Sequence, residues 1–178
     1  MGVSGSGASA VASIAKGNGF DVTGCDLSSE SAYIDKTGIK VEKGHDANHL
    51  TGTACLIISP AVPKFDPENN EIHKAVDEGI PVITWQEFQG AVLQKGKFTI
   101  CIAGGYGKST TTAMISKILI NANFDPTCEL GAKVLEWEKN FRIGKSKYYI
   151  CEADEYNDNF LNYSPDIAVI LNVAWDHP

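Results

Sequence analysis

The chain has 178 residues, 43% of them apolar and 21% charged, with 15 basic and 22 acidic side chains and a formal charge of −7. No apolar run reaches the ~18 residues that cross a bilayer and no charged-then-apolar signal segment opens the chain. So acidic a chain is a poor electrostatic partner for nucleic acid or an anionic membrane surface, and at roughly 150 residues per domain its length accommodates one domain or two small ones.

In chain order, short β-branched runs alternate with helical stretches, the pattern of a parallel α/β architecture. A glycine-rich turn at 2–7 leads into a small-residue helix over 8–16, which Gly17-Asn18-Gly19 stops. A strand over 21–26, a short helix near 29–36, a brief strand over 39–41 and a polar loop follow. A buried-type strand over 54–59 then ends in Pro60-Ala61-Val62-Pro63. A helix near 67–78, a strand over 81–84 and a helix over 86–93 complete a Rossmann-like domain, 1–94. Gln94-Lys95-Gly96-Lys97 reads as a hinge into a second α/β domain, 95–178, with a P-loop. Its strands are expected over 98–103, 147–152 and 167–172, with a helix over 108–122.

The five cysteines, Cys25, Cys55, Cys101, Cys128 and Cys151, are odd in number, widely spread and without a C-x-x-C pair. Three lie inside strand-like runs, so buried reduced thiols in a cytoplasmic protein are the expected reading.

Two glycine loops carry the chemistry. Gly5-x-Gly7-x-x-Ala10 fits the dinucleotide fingerprint, and Asp26 ends the next strand 19 residues after Gly7. Glycines let the backbone approach a diphosphate, the helix N-terminus offers N–H groups, and the acid accepts from a ribose hydroxyl. Such a loop normally follows a strand, yet only Met1 precedes Gly2. Either that strand is missing from this stretch or the fingerprint is illusory. The second loop, Gly104-Gly105-Tyr106-Gly107-Lys108-Ser109-Thr110, lies between an expected strand and an expected helix. It is a shortened P-loop: the lysine reaches the β- and γ-phosphates of a nucleotide and the serine hydroxyl a Mg²⁺ ion.

Glu152-Ala153-Asp154-Glu155 falls where a parallel strand runs out, the end at which open α/β sheets place ligands. Beside a P-loop an acid there is a plausible Mg²⁺ ligand. Asp176-His177 follows the last strand in the same way. His45-x-x-x-His49 has the spacing of two metal ligands on one helix face, but HDANH is a polar loop with no third ligand nearby, and zinc is not expected there. Trp85, Trp137 and Trp175 are not spaced as a stacking platform and read as core or rim residues.

The order of a GxxGxG opening, a strand ending in Asp26, Ser59-x-Ala61-x-Pro63, A-G-x-x-G-K-S-T-T, E-A-D-E and N-x-x-x-D-H resembles the Mur ligases, the ATP-dependent amide ligases of peptidoglycan precursor synthesis. GSGASAVA, GHDANHL and EADEYNDNF resemble most the branch that joins L-alanine to UDP-N-acetylmuramate. The resemblance implies that the first domain binds the uridine diphosphate moiety, with Ser4, Gly5, Ser6 and Gly7 at the diphosphate, Asp26 at the nucleoside, and His45 and the Ser59–Ala61 loop on the pocket wall. It implies ATP and two Mg²⁺ ions in the second domain. Lys108 would hold the phosphates, Ser109, Glu152 and His177 the metals, and Asn172 would lie near the phosphates. The family loop usually carries Thr and His where Gly105 and Tyr106 stand. Family members also continue into further domains. The chain is therefore expected to be a fragment without ligase activity alone, prone to marginal stability or self-association through an interrupted sheet. Two rival readings are a ligase recycling murein tripeptide and a non-catalytic nucleotide-binding module.

Overall fold

Small residues after the first glycine loop wind into α1 (Ser6–Gly17), which buries Ala8, Ala10, Val11, Ile14 and Ala15. The computed structural model describes residues 1–28, 31–35 and 37–173. The chain divides into two units, Met1–Phe88 and Gln89–Pro178.

In the first unit β1 (Thr23–Asp26) pairs in parallel with β2 (Lys40–Lys43), and β3 (Leu56–Ile58) in parallel with β4 (Val82–Thr84). Residues 1–3 lie between the two pairs. The amides of Gly2 and Val3 donate to Cys25 O on one side. On the other the Met1 ammonium donates to Ile57 O at 2.7 Å and Ser59 N donates to Met1 O at 3.0 Å. A one-turn 3₁₀ helix at Ala47–Leu50 is capped by the Asp46 carboxylate. After it come α2 (Ala61–Phe65), α3 (Asn70–Asp77) and α4 (Trp85–Phe88). Met1, Cys25, Leu50, Leu56, Ile58, Val62 and Ala75 form one apolar cluster and Val3, Ile34 and Ile39 another. Each large apolar side chain so buried stabilises the unit by about 1.5–3 kcal/mol.

Two local differences from the sequence expectation have clear causes. Pro60-Ala61-Val62-Pro63 starts a helix, because Pro60 is the cap and Pro63 falls in the first turn, where a missing N–H costs nothing. The helix expected near 29–36 is a single turn across 31–35, with the amides of Ile34 and Asp35 both on Ser31 O. Residues 29, 30 and 36 lie outside the described set.

The second unit is a five-stranded sheet in the order β7-β6-β8-β5-β9, built from β5 (Phe98–Ala103), β6 (Thr127–Val134), β7 (Lys139–Arg142), β8 (Tyr148–Ala153) and β9 (Ile167–Ile170). All neighbours are parallel except the β6–β7 hairpin, which the sequence reading did not anticipate. Helix α5 (Lys108–Asn121) connects β5 to β6. Ile100, Ile102, Cys128, Leu130 and Ile150 make the core. Gln89–Leu93, grouped with the first domain on sequence, is a π-helical turn of this unit. Tyr163 Oη hydrogen-bonds Gln89 Oε1 at 3.4 Å, and Gln94 Nε2 donates to Cys151 Sγ at 3.3 Å.

Candidate functional site

In the second unit three parallel strands deliver their loops to one edge of the sheet. The register pairs Ala103 with both Ala153 and Ile170. Gly104–Gly107, Asp154–Glu155 and Leu171–Asn172 therefore all leave the sheet at the carboxyl end. Gly104 and Gly107 have φ of +141° and +85°, left-handed values that a side chain resists. At Gly104 an added Cβ would also lie 3.2 Å from Asn172 N. Gly107 caps α5, so the amides of the first turn, which have no intrahelical acceptor, open onto the loop.

Lys108 Nζ donates to Gly104 O at 2.7 Å and forms an ion pair with Glu155 Oε2 at 2.9 Å. Asn172 grips the loop from the opposite strand: Tyr106 N donates to its Oδ1 at 3.2 Å and its Nδ2 donates to Tyr106 O at 2.9 Å. The Tyr106 ring itself is exposed. Ser109 is half-buried and Thr110 exposed in the first turn of α5, and Gly105 is half-buried in the loop. The Glu152 carboxylate accepts from Gly131 N at 2.7 Å. Behind it Glu129 is buried, and burial, reinforced by the Glu152 charge, pushes its carboxyl up to about 8. Lys108, Asn172 and Glu155 thus meet around the loop through direct contacts. Glu155 as the partner of Lys108 was not singled out on sequence; its place at the end of β8 was the available signal. His177 lies outside the described residues, as does Trp175.

In the first unit the glycine loop and the acid are joined directly. Ser4 N donates to Asp26 Oδ2 at 2.9 Å, and Ser28 N donates to Asp26 Oδ1 at 3.2 Å. Ser4 Oγ donates to Ser28 O at 2.8 Å and Ser31 Oγ to Ser4 O at 2.7 Å. Gly5 is the cap of α1 without a side-chain cap bond, and Ser6 and Gly7 form its first turn. Gly7 faces Trp85: a Cβ there would sit 2.6 Å from the indole ring. That close approach is a packing reason for a glycine of the fingerprint. Ser59 meets Met1 through its amide, and its Oγ accepts from Ala61 N at 3.4 Å.

His45 joins a buried polar cluster. Cys25 Sγ lies 3.4 Å from His45 Nδ1 and donates to Glu71 Oε2 at 3.3 Å. Asp46 N donates to the same oxygen at 3.2 Å, and His49 Nδ1 is 3.5 Å from it. Burial pushes the Cys25 thiol up to about 12. The expectation that no third ligand group lies near His45 and His49 is thereby corrected: the parallel crossovers bring in Cys25 and Glu71. A cavity of about 710 Å³ opens beside this cluster, lined in part by Met1, Cys25, Leu56, Glu71, Trp85 and His49.

A profile of the Mur ligase family, catalytic domain, matches residues 1–96. A UDP-N-acetylmuramate–L-alanine ligase of Caldicellulosiruptor saccharolyticus is 41% identical over 179 residues, covering 99% of this chain and 39% of that protein. The same-named enzyme of Caldanaerobacter subterraneus is 37% identical, covering 99% and 38%. Among solved structures, the UDP-N-acetylmuramate–alanine ligase of Thermotoga maritima is similar at a TM-score of 0.88 and 31% identity, over 99% of this chain and 41% of that one. A UDP-N-acetylmuramate:L-alanyl-γ-D-glutamyl-meso-diaminopimelate ligase from Neisseria meningitides is similar at 0.86 and 25%, over 99% and 60%. The chain spans about two fifths of the length of the curated relatives it matches. No helix among the described residues is long and apolar enough to cross a membrane. With the family profile matched over more than half of its length, the chain belongs to the Mur ligase family.

Proposed function

We propose that this chain supplies the substrate-binding and ATP-binding parts of a ligase that joins L-alanine to UDP-N-acetylmuramate through an acyl phosphate. The observation that carries the reading is Lys108 at the head of α5, tied to the Gly104 carbonyl and set at the same sheet edge as Glu152 and Asn172. The curated relatives that bear this activity in their names align over 99% of the chain, which supports the same choice.

In this reading residues 1–94 bind the uridine diphosphate substrate. The first turn of α1 and the loop Ser4, Gly5, Ser6 and Gly7 face the diphosphate, Asp26 the nucleoside, and His45, Ser59 and Ala61 the wall. Residues 95–178 bind ATP. Gly104, Gly105, Tyr106 and Gly107 wrap the phosphates, with Lys108, Ser109 and Thr110 beneath them and Asn172 holding the loop. Lys108 exchanges Glu155 for phosphate oxygens and neutralises charge that develops during transfer to the substrate carboxylate. The half-buried Ser109 hydroxyl and the Glu152 carboxylate are hard oxygen donors that suit Mg²⁺, and His177 is the family's further ligand position. Bound Mg²⁺ would offset phosphate charge. The buried thiols suit a reducing cytoplasm. The absence of ligase activity from the chain alone is part of the proposal.

Calorimetric titration tests it. UDP-N-acetylmuramate and ATP·Mg²⁺ should each bind the purified chain, ATP binding should weaken at least about tenfold in Lys108→Ala, and no alanine-dependent phosphate release should appear. A chain that binds neither ligand overturns the reading. Substrate binding without ATP binding would favour the non-catalytic module, which the loop's Gly105 and exposed Tyr106 bring into view. The likeness to the meso-diaminopimelate ligase keeps a peptide-recycling role as the second reading; offering tripeptide to the complete enzyme separates the two.

A further inference from the structure

Cys25, His45 and Glu71 come from three separate elements: β1, the turn after β2, and the first turn of α3. Their ligand atoms all lie within 4.8 Å of one another. Cys25 and Glu71 are 3% and 2% exposed. A tetrahedral zinc site has metal–ligand bonds of about 2.3 Å to sulfur and about 2.0–2.2 Å to nitrogen and oxygen, which sets its edges at about 3.3–3.6 Å. The observed edges are 3.4 Å from Cys25 Sγ to His45 Nδ1 and 3.3 Å from Cys25 Sγ to Glu71 Oε2. The third, His45 Nδ1 to Glu71 Oε2, is 4.0 Å. Closing it needs a side-chain adjustment of about half an ångström.

Charge argues the same way. Glu71 is a buried carboxylate, and among the described residues no lysine or arginine side chain pairs with it; the imidazoles of His45 and His49 lie 4.0 and 3.5 Å from it, and the Met1 ammonium is the nearby positive charge. A buried carboxylate needs a hydrogen-bonded counter-charge. A divalent ion held by one thiolate, one carboxylate and one neutral imidazole gives a neutral cluster. Asp46 N already donates to Glu71, the kind of outer contact that fixes a ligating carboxylate. Cys25 and Glu71 also line the 710 Å³ cavity, which offers access and room for a water in the fourth position.

We propose that Cys25, His45 and Glu71 form a binding site for a zinc-class divalent cation in the first unit, distinct from the Mg²⁺ ligands of the nucleotide loop. The mixed sulfur, nitrogen and oxygen donor set selects Zn²⁺ or Co²⁺ over Mg²⁺ or Ca²⁺. On binding, the Cys25 S–H bond breaks, its proton leaves to solvent and the sulfur electron pair goes to the metal. The ion would fasten the end of β1 to the turn after β2 and to α3.

The test is titration of the metal-stripped chain with Co²⁺ under reducing conditions. The expected result is one equivalent bound, a thiolate-to-cobalt charge-transfer absorption, displacement by Zn²⁺ and a raised Tm. Cys25→Ser should abolish the absorption, while Cys55→Ser, at a thiol outside the cluster, should keep it. Glu71→Gln retains the thiol and should weaken Co²⁺ binding about tenfold or more. Should Cys25→Ser not fold, Glu71→Gln decides alone. No stoichiometric uptake by the parent chain, an absorption that survives Cys25→Ser, or unchanged affinity in a folded Glu71→Gln would each overturn the proposal. None of these readouts depends on ligase activity.

Discussion

Lys108 Nζ sits 2.9 Å from Glu155 Oε2, with side chains 16% and 29% exposed. The pair holds the loop lysine on an internal anion, so an incoming phosphate must displace a carboxylate before it gains the ammonium. Glu155→Gln removes that competitor and is expected to tighten ATP·Mg²⁺ binding about two- to fivefold, or about 0.4–1 kcal/mol, within the range of partly exposed ion pairs. Lys108→Ala should weaken it by at least about tenfold. Calorimetry on the two variants checks both, and weaker binding in Glu155→Gln would instead make that carboxylate part of the ATP site.

Asn172 makes both of its amide bonds to the Tyr106 backbone. Asn172→Ala removes the two, each worth about 0.5–1.5 kcal/mol net. The expected outcome is faster hydrogen exchange at the Tyr106 amide with the β5 amides unchanged, measured by mass spectrometry or NMR. Uniform loss of protection through β5 would show that Asn172 supports the sheet rather than the loop.

Gly7 lies against Trp85 with no room for a methyl group. Gly7→Ala should destabilise the first unit by about 1–3 kcal/mol through overpacking. Combined with Trp85→Leu, the alanine should cost less than it does alone, giving a coupling of about 0.5–2 kcal/mol in a denaturant double-mutant cycle. Strict additivity would mean that the cost of the alanine does not come from the ring.

Asp125 ties the start of β6 to the end of β7. It accepts from Lys145 N at 2.9 Å and from Arg142 Nη2 at 2.6 Å. These donors, the Lys145 amide foremost, hold its carboxyl below the usual value of 3.8. A depressed carboxylate stabilises the fold fully above its unfolded value and loses that contribution as pH falls through the lower folded value. Stability of the second unit should therefore drop on acidification below about pH 4, the ordinary range of an aspartate. Asp125→Asn should lack this part of the acid dependence and be less stable at pH 7, as read from denaturant midpoints between pH 2.5 and 7, a window of about that width around the carboxylate range.

Much of the second unit was legible because β5 and α5 obey simple periods: the predicted strand 98–103 matches β5, and α5 starts on the lysine that ends the glycine loop. The β6–β7 hairpin was not. Its first strand buries the charged Glu129 beside Gln89 and Glu152, so TCELGAKV shows neither clean alternation nor an apolar run, and its turn contains Glu138 at φ +54° rather than a glycine. The buried cluster around Glu71 was illegible for another reason. Cys25 and Glu71 are 46 residues apart and meet only through parallel crossovers, which spacing rules do not see. His45 and His49 stand out as a pair in the sequence, while the residues that complete their surroundings lie in other elements.

The run of main chain at residues 1–3 sets how the first unit comes apart. Two strand pairs, each too small to persist alone, share that one seam through the carbonyls of Cys25 and Ile57 and the amide of Ser59. Apolar packing crosses the same line, with Met1, Cys25, Leu56 and Ile58 in one cluster, so the two pairs open together rather than fraying from one edge. Exchange at Gly2, Val3 and Ser59 should therefore occur together and track unfolding of the whole unit.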